Sequence, residues 1–252
     1  MNIFFDTEFT GLVPRTTLIS IGMVSEVGER FYAEFNDYRV DLIQGNTWLQ
    51  ENVMDNRMIY TYDKDKTIAT QWIEKEVEPA CGYGNSVYYR GSNDYRSGCR
   101  VVYGDTEYIR DKLIDWLTYL HEWSYSNIDP QIQLISDVCH YDMYLLCNQV
   151  FGGAFHLPEF VNPVCYDICS YITNENVYLS CPDWRYDPEI LDKLNALVPH
   201  KDTLADEMAV AFDVSREELC KFLNNGKLPE GEKHNALYDA EVIRMIYERM
   251  RA

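Results

Sequence analysis

Two carboxylates stand at alternate positions at the end of the first apolar run of the chain, "MNIFFDTEFTGL". On a β-strand residues i and i+2 share a face, so a strand running through Asp6 and Glu8 points both acids the same way. Two acids side by side on a central strand cost stability unless something positive sits between them. A divalent cation meets that need, and hard oxygen donors of this type suit Mg²⁺ or Mn²⁺. The plainer alternative is a strand that ends before Asp6 and leaves both acids in water.

Composition narrows the setting. With 252 residues, 46% of them hydrophobic, the chain is long enough to bury a substantial core. A net charge of −19, from 41 acidic against 22 basic residues, argues against holding long nucleic acid by broad phosphate neutralisation. No Lys or Arg occurs between Lys112 and Arg185, so any polyanionic substrate would have to be drawn in locally. The eight cysteines form no CxxC pair and match no pattern of histidines, which excludes zinc-ribbon and redox-motif readings and makes them reduced, mostly buried thiols. No apolar run approaches the roughly 18 residues of a membrane span, and the start lacks the basic flank of a signal peptide. The expectation is a cytoplasmic protein, in a host cytoplasm if the source is viral, with no membrane partner.

Along the chain, "NIFF", "TLISIGMVSEV" and "RFYAEFND" read as three antiparallel strands of a meander. "NTWLQENV" reads as a short helix. From about 56 to 104 the periodicity gives way to Gly, Asn, Ser and Tyr, an insertion in which Arg90, Arg96 and Arg100 alternate with Tyr83, Tyr88, Tyr89, Tyr95 and Tyr103, a mixture that continues into Tyr108, Arg110 and Lys112. That mixture suits a structural or dimer-forming hairpin or, alternatively, a platform for a substrate strand. "DTEYIRDKLIDWLTYLHEW" predicts an amphipathic helix with Asp105 or Thr106 as N-cap and Ile109, Leu113, Trp116, Leu117 and Leu120 on one face. "QIQLIS" is a strand, "HYDMYLLCNQVFG" a helix ending at Gly152 and Gly153, and "VNPVCYDICSYI" a further strand or short helix. At least two helices are expected between 188 and 225. The closing "HNALYDAEVIRMIYERM" carries a broad apolar stripe.

Further acids recur at matching places. Asp142 lies just inside the helix that follows "QLIS", at the positive end of its dipole. Asp239 lies one turn into the last helix, five residues after His234, and one turn of helix would bring the imidazole and the carboxylate to one site. Asp137 ends the preceding strand and could face the same place, or cap the helix after it. His140 reads as a surface or packing residue.

In order, "DTEFTGL", "SDVCHYDMYLL" and "HNALYDAEVIRMIYERM" resemble the three motifs of the DEDDh 3′-to-5′ exonucleases. Within that group "LISIG", "WLQENV" and "SDVCHYDMYLLCNQVFG" are most similar to the mycobacterial-type 3′-to-5′ exoribonuclease family. The likeness covers 1–54, 105–172 and 230–250. It implies an α/β fold of the ribonuclease H-like exonuclease type: a mixed five-stranded sheet with helices on both faces. The chain would be one exonuclease domain, 1–252, with the insertion at about 56–104 and a helical elaboration at about 183–229.

Carried over by position, the resemblance makes Asp6, Glu8, Asp142 and Asp239 the ligands of two ions, Mg²⁺ or Mn²⁺. His234 would be the general base, with Glu8 beside it at the catalytic centre. The backbone after Glu8 would hold a 3′-terminal nucleotide, with Phe9 or Leu12 against its base and Glu8 and Thr10 near its sugar. The implied activity is metal-dependent hydrolysis from the 3′ end of single-stranded RNA or short oligonucleotides. A DNA exonuclease of the same chemistry, and an idle nuclease fold that binds RNA or protein, are the alternatives. A homodimer is allowed, with no interface identified.

Overall fold

Strand β1, Asn2–Phe9, occupies the middle of the sheet in a computed structural model that describes residues 1–58, 99–123, 131–137, 139–168 and 215–251. It pairs antiparallel with β2, Leu18–Ser25, which pairs antiparallel with β3, Arg30–Phe35, so the meander forms as its alternating and apolar runs predict. On its other side β1 runs parallel to β5, Gln133–Ser136.

The sheet has six strands among the described residues, in the order β4-β3-β2-β1-β5-β6, rather than the five expected. The additional strand is β4, Cys99–Gly104, parallel to β3 at the far edge, so the last six residues of the segment read as an insertion belong to the sheet. Only Cys99 and Val102 of β4 are buried, which leaves too little alternation for the strand to stand out from its Tyr- and Gly-rich surroundings. At the other edge β6 is two residues, Tyr166–Asp167, within the stretch expected to be a strand or short helix.

Helices cover both faces. On one, α3, Thr106–Trp123, buries Ile109, Leu113, Trp116, Leu117 and Leu120 against Ile3, Phe5, Ile21 and Phe31. Burial of each such aliphatic or aromatic side chain contributes about 1.5–3 kcal/mol. Asp105 caps the helix, its Oδ1 accepting from the Tyr108 N–H at 2.9 Å. Helix α4, Cys139–Leu145, continues in a π-turn to Val150 and packs Leu145 and Leu146 on the same face. Between β3 and β4, short helices α1, Val40–Ile43, and α2, Thr47–Leu49, lead into a π-turn over Gln50–Met54.

The opposite face takes α5, Arg216–Leu223, and α6, Ala236–Arg251. Ser215 and Glu218 form a capping box at the start of α5, and the helix stops at Asn224, before Asn225 and Gly226 take up positive φ. Leu219, Cys220 and Leu223 of α5 join Phe4, Val24, Ile243 and Ile246 in the second core, so the end of the expected elaboration is structural. Among the described residues no helix is long and apolar enough to cross a membrane.

Of the Arg- and Tyr-rich stretch, residues 83, 88, 89, 90, 95 and 96 lie outside the described residues, as does the part of the elaboration before 215. Arg100 faces Asp115 at 3.8 Å, Arg110 meets Glu107 and Asp111 at 3.4 and 3.3 Å, and the Lys112 ammonium stands 5.2 Å from the Tyr108 ring centre.

Candidate metal centre

Asp6 and Glu8 lie on β1 itself, not beyond its end. Alternation puts them on the side of Phe4, facing α6, while Ile3, Phe5 and Thr7 face α3 and α4. The register of β1 against β2 shifts between Glu8 and Phe9, an irregularity in the ladder immediately beside Glu8.

Asp239 reaches the same place because α6 begins directly over the sheet. Gly22 of β2 pairs with Asp6, and a Cβ at Gly22 would lie 2.2 Å from the Ala236 carbonyl carbon and the Leu237 nitrogen. Only the absence of a side chain at Gly22 lets the helix start there. Glu8, His234 and Asp239 then each place a ligand atom within 4.8 Å of the others.

His234 does not share the helix with Asp239, as one-turn spacing suggested. Helix α6 starts at Ala236, where Asn235 Oδ1 accepts from the N–H groups of Leu237 and Tyr238. His234 stands two residues earlier with φ of +63°, a left-handed conformation that costs a non-glycine residue about 1 kcal/mol. The bend is held by its own N–H, which donates to Asp239 Oδ2 at 2.9 Å, and by Trp48, whose ring meets the imidazole edge-on with centres 5.0 Å apart. His234 Nδ1 is 3.9 Å from Glu8 Oε1, so the imidazole and the carboxylate do meet at one site, by a route other than helical spacing.

Asp142 enters from the α4 side, buried in the first turn of that helix. Thr7 Oγ1 donates to its Oδ1 at 2.6 Å and Ser136 Oγ to its Oδ2 at 2.5 Å. Each carboxylate oxygen keeps a lone pair beyond these bonds. Asp137 pairs instead with Arg216 at 2.7 Å, and the Cys139 N–H at the start of α4 donates to Asp167 at 3.3 Å.

Burial, aided by neighbouring negative charge, favours protonation of all four acids. Burial first, then the charges of Asp142, Asp239 and Glu8, holds the Asp6 carboxyl well above the usual range. Burial and the charges of Asp239 and Asp142 do the same to Glu8. Burial raises Asp142 to about 6 against the opposing hydroxyl bonds from Ser136 and Thr7. Asp239 is raised to about 7, chiefly by burial and against the His234 N–H bond. His234 is lowered by burial and by Lys233, with Glu217 opposing. A cluster of oxygen donors that resists ionising together has the donor chemistry of a site for a hard divalent cation, whose charge would reverse each shift.

The remaining sequence candidates lie at the rim. Phe9 is partly buried and stacks on Tyr141, ring centres 5.3 Å apart and planes 10° from parallel. Leu12 is 72% exposed. Thr10 is buried, its Oγ1 accepting from the Thr17 N–H at 2.9 Å and 3.3 Å from Thr16 Oγ1, so its hydroxyl is committed to closing the β1–β2 connection.

Sequence reading passed over Thr7, Ser136, Trp48 and Gly22. Thr7 and Ser136 flank the motif acids and carried a signal in their hydroxyls. Nothing near Trp48 or Gly22 in sequence announces what they touch across the fold. The chain matches no protein-family model, and no curated protein is similar to it in sequence.

Proposed function

We propose that the chain is a metal-dependent 3′-to-5′ exonuclease acting on the 3′ end of RNA or of short oligonucleotides. The reading rests on the convergence of Asp6, Glu8, Asp142 and Asp239 with one imidazole, His234, at the carboxyl end of β1. The strand order β3-β2-β1-β5-β6, antiparallel through the meander and parallel beyond it, supports a ribonuclease H-like fold with β4 added outside β3. The net charge of −19 favours a short or single-stranded substrate over a long duplex.

Asp6, Glu8, Asp142 and Asp239 would hold two divalent ions, Mg²⁺ or Mn²⁺, which when bound supply charge neutralisation and Lewis acidity for in-line displacement at phosphorus. His234, whose lowered pKa keeps the imidazole neutral near pH 7, accepts the proton of the attacking water. The bond from phosphorus to the preceding 3′ oxygen breaks, releasing a nucleoside 5′-monophosphate and a strand that ends in a new 3′ hydroxyl. Thr7 and Ser136 orient Asp142, while the left-handed bend and Trp48 orient His234. Exposed Leu12 and the Phe9–Tyr141 stack offer apolar surface to a terminal base, a contact that tolerates any sequence. Glu8, one residue before Phe9 on β1, would contact the terminal sugar, where a 2′-hydroxyl separates RNA from DNA.

The test compares the protein with its Asp6→Ala variant on 5′-labelled RNA and DNA in Mg²⁺ and in Mn²⁺. The expected result is a ladder shortening from the 3′ end of RNA and absent in the variant. A stronger ladder on DNA would make it a DNA exonuclease. No ladder on either substrate, from protein with a cooperative melt, would reject the enzyme in favour of a binding role.

A further inference from the structure

A second group of ligand atoms lies one helical turn from Asp142 and takes no part in the chemistry above. Cys139 and His140 open α4, and Cys165 and Asp167 bracket Tyr166 on the neighbouring edge strand β6. The Cys139 sulfur, a His140 ring nitrogen and an Asp167 carboxylate oxygen all lie within 4.8 Å of one another. Cys165 stands beside the Cys139 sulfur but outside that group: its thiol donates to the Tyr166 carbonyl at 3.6 Å, and a turn of its side chain away from that carbonyl would complete the set. Cys165 lies 25 positions after His140, and only the parallel pairing of β5 with β6 brings the two segments together.

The donor set differs in kind from that of the carboxylate site. Two thiolates, an imidazole and a carboxylate form a borderline-soft set that suits Zn²⁺ and is poorly matched to Mg²⁺ or Mn²⁺. Zinc bonds of about 2.3 Å to sulfur and about 2.0 Å to nitrogen or oxygen put tetrahedral donors roughly 3.3–3.8 Å apart, so Cys139, His140 and Asp167 need shifts of about 1 Å, and Cys165 a side-chain rotation away from the Tyr166 carbonyl. Access is open: His140 is exposed, and Cys139, Cys165 and Asp167 are half-buried. Asp167 already accepts from the Cys139 N–H, which holds the two halves in contact.

We propose that Cys139, His140, Cys165 and Asp167 form a four-coordinate zinc site that clamps the first turn of α4 to β6. Binding displaces the protons of the two thiols to solvent, leaves His140 neutral and leaves Asp167 ionised. The four ligands then tie the turn carrying Asp142 to the sheet edge, and the site is a structural one, independent of whether the carboxylate site hydrolyses anything.

The experiment measures zinc per chain by elemental analysis of full-length protein produced with zinc and dialysed against Mg²⁺, together with the absorption spectrum after Co²⁺ is added to zinc-stripped protein. One zinc per chain and a thiolate-to-cobalt band are expected, both retained in Asp6→Asn, which alters only the carboxylate site. Cys139→Ser should abolish the band, and His140→Ala, at an exposed position that folding does not need, should weaken zinc binding by more than about tenfold. Removing zinc should lower the thermal midpoint of the wild type and leave that of Cys139→Ser unchanged. Zinc well below stoichiometry with no cobalt band, in protein that melts cooperatively, overturns the site. So does a Cys139–Cys165 disulfide in freshly prepared protein, or zinc content and affinity unchanged in His140→Ala.

Discussion

Gly22 touches Ala236: a methyl group on Gly22 would lie 2.2 Å from the Ala236 carbonyl carbon, since the first turn of α6 rests on the bare backbone of β2. Because Gly22 pairs with Asp6, this contact sets how near Asp239 comes to the acids of β1. Gly22→Ala must lift the helix, and overpacking of this kind costs about 1–3 kcal/mol. The thermal midpoint should fall by roughly 2–4 °C for each kcal/mol, and the rise produced by Mg²⁺ or Mn²⁺ should vanish. A variant that keeps the full metal-induced rise would show that the close approach does not set the site.

Asp6→Asn removes a charge that burial and four neighbouring carboxylates, Asp142, Asp239, Glu8 and Asp137, oppose. The metal-free variant should therefore melt higher than the metal-free wild type, by roughly 2 °C or more, while losing turnover and the response to Mg²⁺. Differential scanning calorimetry in EDTA and in Mg²⁺ reads both effects. A lower midpoint in EDTA would contradict the mutual repulsion of the four acids.

Burial, with a smaller push from neighbouring charges, gives the pH dependence its sign. Asp142 titrates at about 6 and Asp239 at about 7 in the folded protein, against about 3.9 when unfolded. Between those values the folded state binds more protons than the unfolded one, so stability falls as pH rises through that window and is recovered as pH drops. Metal-free protein should melt higher at pH 5 than at pH 8, and saturating Mg²⁺ should flatten or reverse the trend by competing with the protons. Equal midpoints at the two pH values in EDTA would exclude raised carboxylate pKa values.

His234→Ala should lower kcat about 10²- to 10⁴-fold while leaving the Mg²⁺-induced rise in midpoint largely intact, since the carboxylates remain. In the wild type the acid limb of the pH–rate profile should fall below the ordinary imidazole value, because burial lowers His234. Trp48→Ala should lower kcat with a smaller change in KM, and Trp48→Phe should restore much of it by keeping an aromatic edge against the imidazole. An unchanged kcat in Trp48→Ala would remove that residue from the orientation of His234.

Periodicity made most of the frame legible. The three strands of the meander, the buried stripe of α3 and the apolar face of α6 each follow from spacings of two or 3.6 residues within one segment. The edge strand β4 was not legible, because a strand with two buried side chains leaves almost no alternation to read. The backbone setting of His234, though not its part in the site, escaped for a related reason: it depends on where Asn235 starts the helix and on a side chain, Asp239, that accepts its N–H.

The sequence by itself determined that Asp6 and Glu8 would share a face if the first strand ran through them, that Asp142 opens a helix, and that His234 and Asp239 neighbour each other at one end of the last element. Each is a consequence of local backbone geometry acting over a few residues. Tertiary structure decided which of these groups meet: Gly22 admits α6, Thr7 reaches Asp142 across 135 positions, and β6 carries Asp167 to Cys139 and His140. Such meetings depend on contacts between distant segments, where a missing methyl group or one pair of strands sets the distance, and no periodicity along the chain records them.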